Sequence, residues 1–189
     1  MADPIVFLGA GVTPRPSVVT AANPLPTTVI STATNAYGTT TLVTRPANTT
    51  AYTAVDVVGA TAAAIDLGVC GPSGGRVMIE TVMLEPRIAV VPTGMGNFRL
   101  ALFSATPTSA LADNAAWTDP VSDNAEYLGT IDIGTPVDLG AKLEVGRNLI
   151  GKIVKLSGTN LFAYLITDGG FTPAANSEVY ALTVMTVAL

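Results

Sequence analysis

The chain has 189 residues, of which 49% are hydrophobic, only 6% aromatic and 12% charged, about half the ~25% charge of an average soluble domain. Nine Lys and Arg stand against fourteen Asp and Glu, the formal net charge is −5, and histidine is absent. This excludes a disordered chain, which is poor in apolar residues and rich in charge, and a broad cationic surface for nucleic acid. The missing histidine removes the commonest general base and metal ligand, so the composition points to a structural or binding protein, with no enzyme activity and no cofactor expected.

Residues 1–44 carry prolines at 4, 14, 16, 24 and 26, separated by short β-forming runs. Proline fixes φ and removes a ladder donor, so this segment is expected as an extended arm. Its apolar residues Ile5, Val6, Phe7, Leu8, Val18, Val19, Val29 and Ile30 are the candidate partner-binding positions. No Lys or Arg precedes the run at 5–8, unlike a secretory leader. Residues 16–44 are uncharged, but Pro16, Pro24 and Pro26 interrupt them, so they do not form a membrane-spanning helix. The expectation is assembly in a cytoplasm-like compartment without membrane contact. The Gly9-Ala10-Gly11 loop lacks the third glycine of a dinucleotide site, and Pro14 and Pro16 stand where its helix would begin.

From residue 45 onward the pattern is that of a packed β domain spanning 45–189. Strands are expected at 39–44, 52–58, 62–67, 76–84, 98–103, 127–133, 142–145, 149–156, 161–167 and 178–188, punctuated by Gly, Pro and Asn. Within 76–84, alternation puts Val77, Ile79, Thr81 and Met83 on one face. Within 98–103, Phe98, Leu100 and Leu102 oppose Arg99, Ala101 and Phe103. Only 109–117 reads as a short helix. The strands at 161–167 and 178–188 are apolar on both faces, which places them at the centre of a sandwich or at a subunit interface. The fold class is therefore all-β: an antiparallel β-sandwich or jelly-roll-like body behind an extended Pro-rich N-terminal arm.

Candidate chemistry is sparse. Cys70 is the single cysteine, with no base beside it in sequence, and reads as a small buried hydrophobe. The Gly71-Pro72-Ser73-Gly74-Gly75 turn lacks the Lys and Ser/Thr of a phosphate loop. Asp113, Asn114, Asp119, Asp123, Asn124 and Glu126 form the densest set of oxygen ligands. Their spacing matches no calcium loop, and Asp and Asn equally serve turns and caps, so no metal is expected. No carboxylate pair stands out for acid–base work, and one Trp with five Tyr offers little of the aromatic platform that sugar-cleaving sites use. Trp117 reads as a hydrophobic anchor at the edge of a core.

The stretch Thr44-Arg45-Pro46-Ala47-Asn48-Thr49-Thr50-Ala51-Tyr52, continuing to Asp56-Val57-Val58-Gly59, resembles the opening of a module found in many uncharacterised tailed-bacteriophage proteins. Residues 109–117, Tyr127-Leu128-Gly129, Leu161-Phe162-Ala163-Tyr164-Leu165 and 171–180 are similar to later parts of it, so the resemblance covers 44–189. It carries no catalytic motif and implies a virion structural protein. The expected role is a capsid decoration (cement) protein on the outer surface of the head shell. Its expected partners are the major capsid protein and itself, as a homotrimer, with the arm bridging neighbouring coat subunits: forty-four extended residues reach up to ~140 Å. A tail-fibre, spike or baseplate protein contacting the host surface is the alternative.

Overall fold

In a computed structural model, the described residues are 35–59, 62–118 and 121–189. Among them eleven strands run in chain order: β1 Ala36–Thr44, β2 Asp56–Val58, β3 Ile65–Val69, β4 Arg76–Pro86, β5 Phe98–Phe103, β6 Tyr127–Gly134, β7 Val137–Asp138, β8 Leu143–Arg147, β9 Lys152–Lys155, β10 Asn160–Thr167 and β11 Val179–Ala188. One sheet has the order β1-β11-β4-β8-β7, with β9 also on β4 beyond β8; the other has the order β2-β10-β5-β6, with β3 on the same edge of β10 as β2. Every strand pair is antiparallel. The two sheets enclose one apolar core that draws on both, including Val43, Val77, Leu84 and Leu182 from the first and Ile65, Phe98, Leu100 and Leu165 from the second. The fold is the expected all-β sandwich.

The body starts earlier than the sequence pattern places it. That pattern assigns residues up to 44 to the arm, yet all nine residues of β1 pair in register with β11, from Ala36 opposite Val187 to Thr44 opposite Val179. Between Pro26 and Pro46 the chain holds no proline, so nothing removes a ladder donor. The boundary between arm and body lies ahead of Ala36.

Strand β4 departs from simple alternation. Val77 and Ile79 face the core, but so do Val82 and Leu84, while Thr81 and Met83 point outward and are half-buried. The cause is a bulge at Glu80: Met185 pairs with Thr81 and the next residue, Thr186, with Ile79, leaving Glu80 as the extra residue. One inserted residue exchanges the two faces of everything beyond it. Strand β5 keeps both expected bounds, and both of its faces are buried over Leu100–Phe103.

Strands β10 and β11 are each central in their sheet, so the two-sided apolarity that the sequence leaves open between core and interface divides differently in the two cases. In β10 both faces are covered. Leu161, Ala163 and Leu165 enter the main core, while Tyr164 and Ile166 join Val57, Ala101 and Phe103 in a second cluster on the outer side of the sheet. In β11, Tyr180, Leu182, Val184 and Thr186 are buried, while Thr183, Met185 and Val187 point outward and keep solvent access.

The cover over the second cluster comes from the 105–118 loop. Its 109–117 portion is not helical. Asn114 donates to the Val57 carbonyl (2.8 Å), Val57 to that of Ala115 (2.8 Å) and Trp117 to that of Val55 (2.7 Å), which makes it an extended ribbon beside β2 with a bridge at Ala116. Lateral partners replace the i→i−4 bonds a helix would use. Trp117 and Leu111 thereby lie on the cluster, with the Trp117 ring 6.4 Å from Phe103 and 5.7 Å from Tyr164. The 52–58 segment likewise forms only the three-residue β2. Val55 takes φ +70°, and the Asp56 carboxylate binds the Thr53 backbone N–H (2.5 Å) and hydroxyl (3.0 Å), a side-chain-closed turn that stops the strand from starting earlier.

Candidate functional site

Four separated segments meet at one end of the sandwich. Arg45 leaves β1 with its backbone N–H on the Glu178 carbonyl (2.9 Å), and its guanidinium is fully buried. There it donates through Nη2 to Asp113 Oδ2 (3.1 Å) and through Nε to the Tyr52 hydroxyl. The Tyr52 hydroxyl donates in turn to Asp113 Oδ1 (2.6 Å), which also accepts the Gly59 N–H (3.0 Å). The Asp113 carboxylate is thus satisfied on both oxygens, with its side chain only 4% exposed.

Beside this knot, buried Glu178 accepts the Tyr180 hydroxyl (3.0 Å) on one oxygen and the Ala175 N–H (3.0 Å) on the other. The rings close the gap between the two. Tyr52 lies 4.8 Å from Phe171, and Phe98 lies 6.2 Å from Phe171 and 6.4 Å from Tyr180. Burial, reinforced by Asp113, pushes the Tyr52 phenol well above its ordinary range, and burial together with the Glu178 charge does the same for Tyr180. Both hydroxyls therefore act as neutral donors. The side chains of the knot bond to one another and to nearby backbone, with Arg45 Nη1 reaching the Asn48 carbonyl (3.5 Å), an arrangement that fixes their geometry.

The acidic set around 113–126 resolves into two separate anchors. Asp113 belongs to the knot. Asp123, buried in a short 3-10 turn at Val121–Asp123, accepts the Thr108 N–H (2.7 Å), the Thr108 hydroxyl (2.6 Å) and the Ser109 N–H (3.1 Å). Bonds from Ser109 and Thr108 hold its carboxyl down to about 2. It pins the start of the covering ribbon, which Tyr164 holds from below through its hydroxyl to the Ser109 carbonyl. Asp119 lies outside the described residues. Among those described, no three Asp, Glu, Cys or His side chains converge in a way that would hold a metal ion. Cys70 is buried as expected, and burial raises its thiol pKa, which keeps it from thiolate chemistry.

The candidate arm residues Ile5, Val6, Phe7, Leu8, Val18, Val19, Val29 and Ile30 all lie outside the described residues. Arg45, Tyr52, Asp113, Glu178 and Tyr180 fall in separate stretches of the sequence, and no local pattern brings them together. One signal is available there: Arg45 is the only charged residue between Arg15 and Asp56, and a lone charge in such a run needs a partner if it is buried. Nothing local identifies that partner, which stands 68 residues away. No family model matches the chain, and no curated protein matches it.

Proposed function

We propose that the chain is a virion structural protein without enzymatic activity: a capsid decoration (cement) protein that binds the outer surface of a phage head shell. In this reading it assembles as a homotrimer in the host cytoplasm and contacts the major capsid protein and its own copies, but neither nucleic acid nor membrane. The residues ahead of β1, with Ile5–Leu8 foremost, reach between neighbouring coat subunits. The observation that carries the reading is where the resembling segments come to lie. Stretches 44–59, 109–117 and 171–180 all supply the buried knot of Arg45, Tyr52, Asp113, Glu178 and Tyr180, and 161–165 supplies Tyr164 beneath the ribbon. The segments that carry the resemblance thus form a scaffold-holding set, which in this reading is the kind of part a protein needs when its work is to bind a lattice.

A tail-fibre, spike or baseplate role calls for an open groove lined by Tyr or Trp. The aromatic rings lend it no support: Trp117, Tyr127 and Tyr164 stand around Phe103, and Tyr52 and Tyr180 are buried.

Copy number in purified particles, measured against the major coat protein, tests the reading. Hundreds of copies in a simple ratio to coat are expected; a handful would move the protein to the tail or a vertex and overturn the decoration role. The deletion that tests the arm should end at residue 33. Removing residues 36–40 would strip half of an edge strand from the sheet, and lost binding would then report a damaged body. Shell binding unchanged by the shorter deletion would refute the arm's part.

A further inference from the structure

The free edges of the two sheets are not alike. Most are blunted in the ways that keep natural sheets from pairing with other chains. Strand β7 has two residues, and β9 has four with Lys152 and Lys155 at its ends. Strand β6 is broken by register shifts against β5 near both ends, with Gly129 at φ +87° and Gly134 at φ +116°. Strand β2 lies beside the 112–117 ribbon, and β3 carries Asp66 and Gly68, the latter at φ +75°. Strand β1 has none of these devices: it runs nine residues without charge or proline, in unbroken register against β11.

Two bonds fix which way its backbone faces. The Arg45 N–H donates to the Glu178 carbonyl (2.9 Å), and the Ala188 N–H to the Asn35 carbonyl (2.7 Å). Bonded residues alternate along an antiparallel ladder. The odd-numbered residues of β1 therefore bond β11, while Ala36, Gly38, Thr40, Leu42 and Thr44 turn their N–H and C=O outward. No described strand pairs with them there. Beside this edge, between β1 and the start of β3, opens a pocket whose lining includes Leu42, Val43, Ala63 and Ile65. An open row of backbone groups with a pocket beside it is how a sheet receives an added strand, the ladder giving affinity and the pocket specificity.

We propose that this edge takes Ile5–Leu8 from the arm of a second copy as an added strand. The sequence ahead of β1 selects that occupant. Residues 27–34 contain no Gly, Asn or Asp, which the positive-φ positions of a tight hairpin need. Asn35 is already held in the β11 ladder, so the chain arrives in line with β1 and its adjoining stretch does not double back along the edge. Residues 5–13, between Pro4 and Pro14, are an uncharged, proline-free run as long as β1. Within it Ile5-Val6-Phe7-Leu8 offers an apolar side chain to the pocket whichever way the strand faces. The chain from Leu8 to Ala36 extends to ~90 Å, enough to reach a neighbour. Each copy has one arm and one such edge, so donation runs head to tail, and head-to-tail contacts that close make rings, a trimer included. The inference rests on the self-association in the proposed function and names the surface that the arm takes.

Sedimentation of the full chain tests it with two variants. Val6→Pro/Phe7→Pro removes ladder donors from the arm in either facing and leaves the body untouched. Gly38→Pro removes an outward N–H from β1, at a position where an edge strand tolerates proline. Wild type is expected as a trimer, and each variant alone as a monomer with an unchanged circular dichroism spectrum. An equal mixture of the two variants is expected as a heterodimer, because one keeps its edge and the other its arm. Wild type that stays monomeric, which is also what an arm laid on its own edge would give, would overturn the proposal. So would a folded variant that keeps the wild-type mass, or a mixture that stays monomeric. Should Gly38→Pro fail to fold, amide hydrogen exchange at Gly38, Thr40 and Leu42 decides between wild type and the arm variant. Exchange that is slow in the wild-type oligomer and fast in the variant supports the added strand, and equal rates refute it. A monomer that still decorates shells would sink this inference alone, and an arm-exchanged oligomer that does not bind shells would sink the decoration role alone.

Discussion

Replacing Asp113 with Ala removes the single carboxylate that Arg45, Tyr52 and Gly59 share. The Arg45 side chain is 0% exposed, so its guanidinium is left charged and buried without its counter-ion. Breaking a buried pair on one side costs about 3–5 kcal/mol, and the stranded Tyr52 hydroxyl and Gly59 N–H place Asp113→Ala toward the upper end of that range. For a body of this size each kcal/mol lowers the melting temperature by roughly 2–4 °C, so a drop of about 10 °C or more is expected. Urea unfolding of Arg45→Met, Asp113→Leu and the double variant completes the test. Once both charges are gone nothing ionic is stranded, so the double variant should be more stable than the summed single losses predict, by about 2 kcal/mol. A cost for Asp113→Ala below about 1 kcal/mol, or strict additivity in the cycle, would refute the reasoning. So would a wild-type melting temperature that rises with calcium and falls with chelator, because Asp113 would then be serving a cation and not Arg45.

Three further outcomes are expected. Trp117→Ala should cost about 2 kcal/mol, less than a fully buried aromatic because the ring is half-buried; in wild type its fluorescence and the circular dichroism should report one urea transition, and an earlier fluorescence step would mean that the ribbon unfolds alone. Asp123 carries a carboxyl pKa lowered to about 2 in the folded state, so its stabilisation is complete above the ordinary value near pH 4 and is lost as the pH falls toward about 2. Asp123→Asn should therefore lower the urea midpoint at neutral pH, with the gap to wild type closing near pH 2; a gap that persists in acid would contradict the assignment. Gly94 has φ +87°, and a Cβ there would meet the Gly170 carbonyl oxygen at 2.3 Å, whereas Gly74 has φ +68° with open space around it. Gly94→Ala should cost more than ~2 kcal/mol and Gly74→Ala roughly 1 kcal/mol, compared by thermal melting.

Elements whose pattern is set by residues next to one another in the chain are legible in the sequence. Strand β5 keeps both expected bounds, because Phe98, Leu100 and Leu102 announce a period of two without interruption. The class of fold follows from ten such runs broken by turn residues, and the burial of Cys70 follows from its apolar surroundings. The Glu80 bulge is invisible there, because an inserted residue leaves the composition of a strand unchanged and alters only its register against β11. The 109–117 segment reads as a helix because short residues tolerate both conformations; in the fold, β2 offers its backbone lateral partners, and Arg45 draws Asp113 inward.

Sequence by itself determined that this chain is an all-β protein with little charge, no histidine and a proline-rich beginning, since those properties belong to residues singly or to their near neighbours. Tertiary structure alone decided that β1 belongs to the body, that Arg45 finds Asp113, and that one sheet covers its outer face with Trp117 while the other leaves Leu42, Met185 and Ile153 in contact with water. Each of these depends on which distant segments become neighbours. A burial or pairing energy exists only once both partners are in place, and no local pattern encodes the second partner.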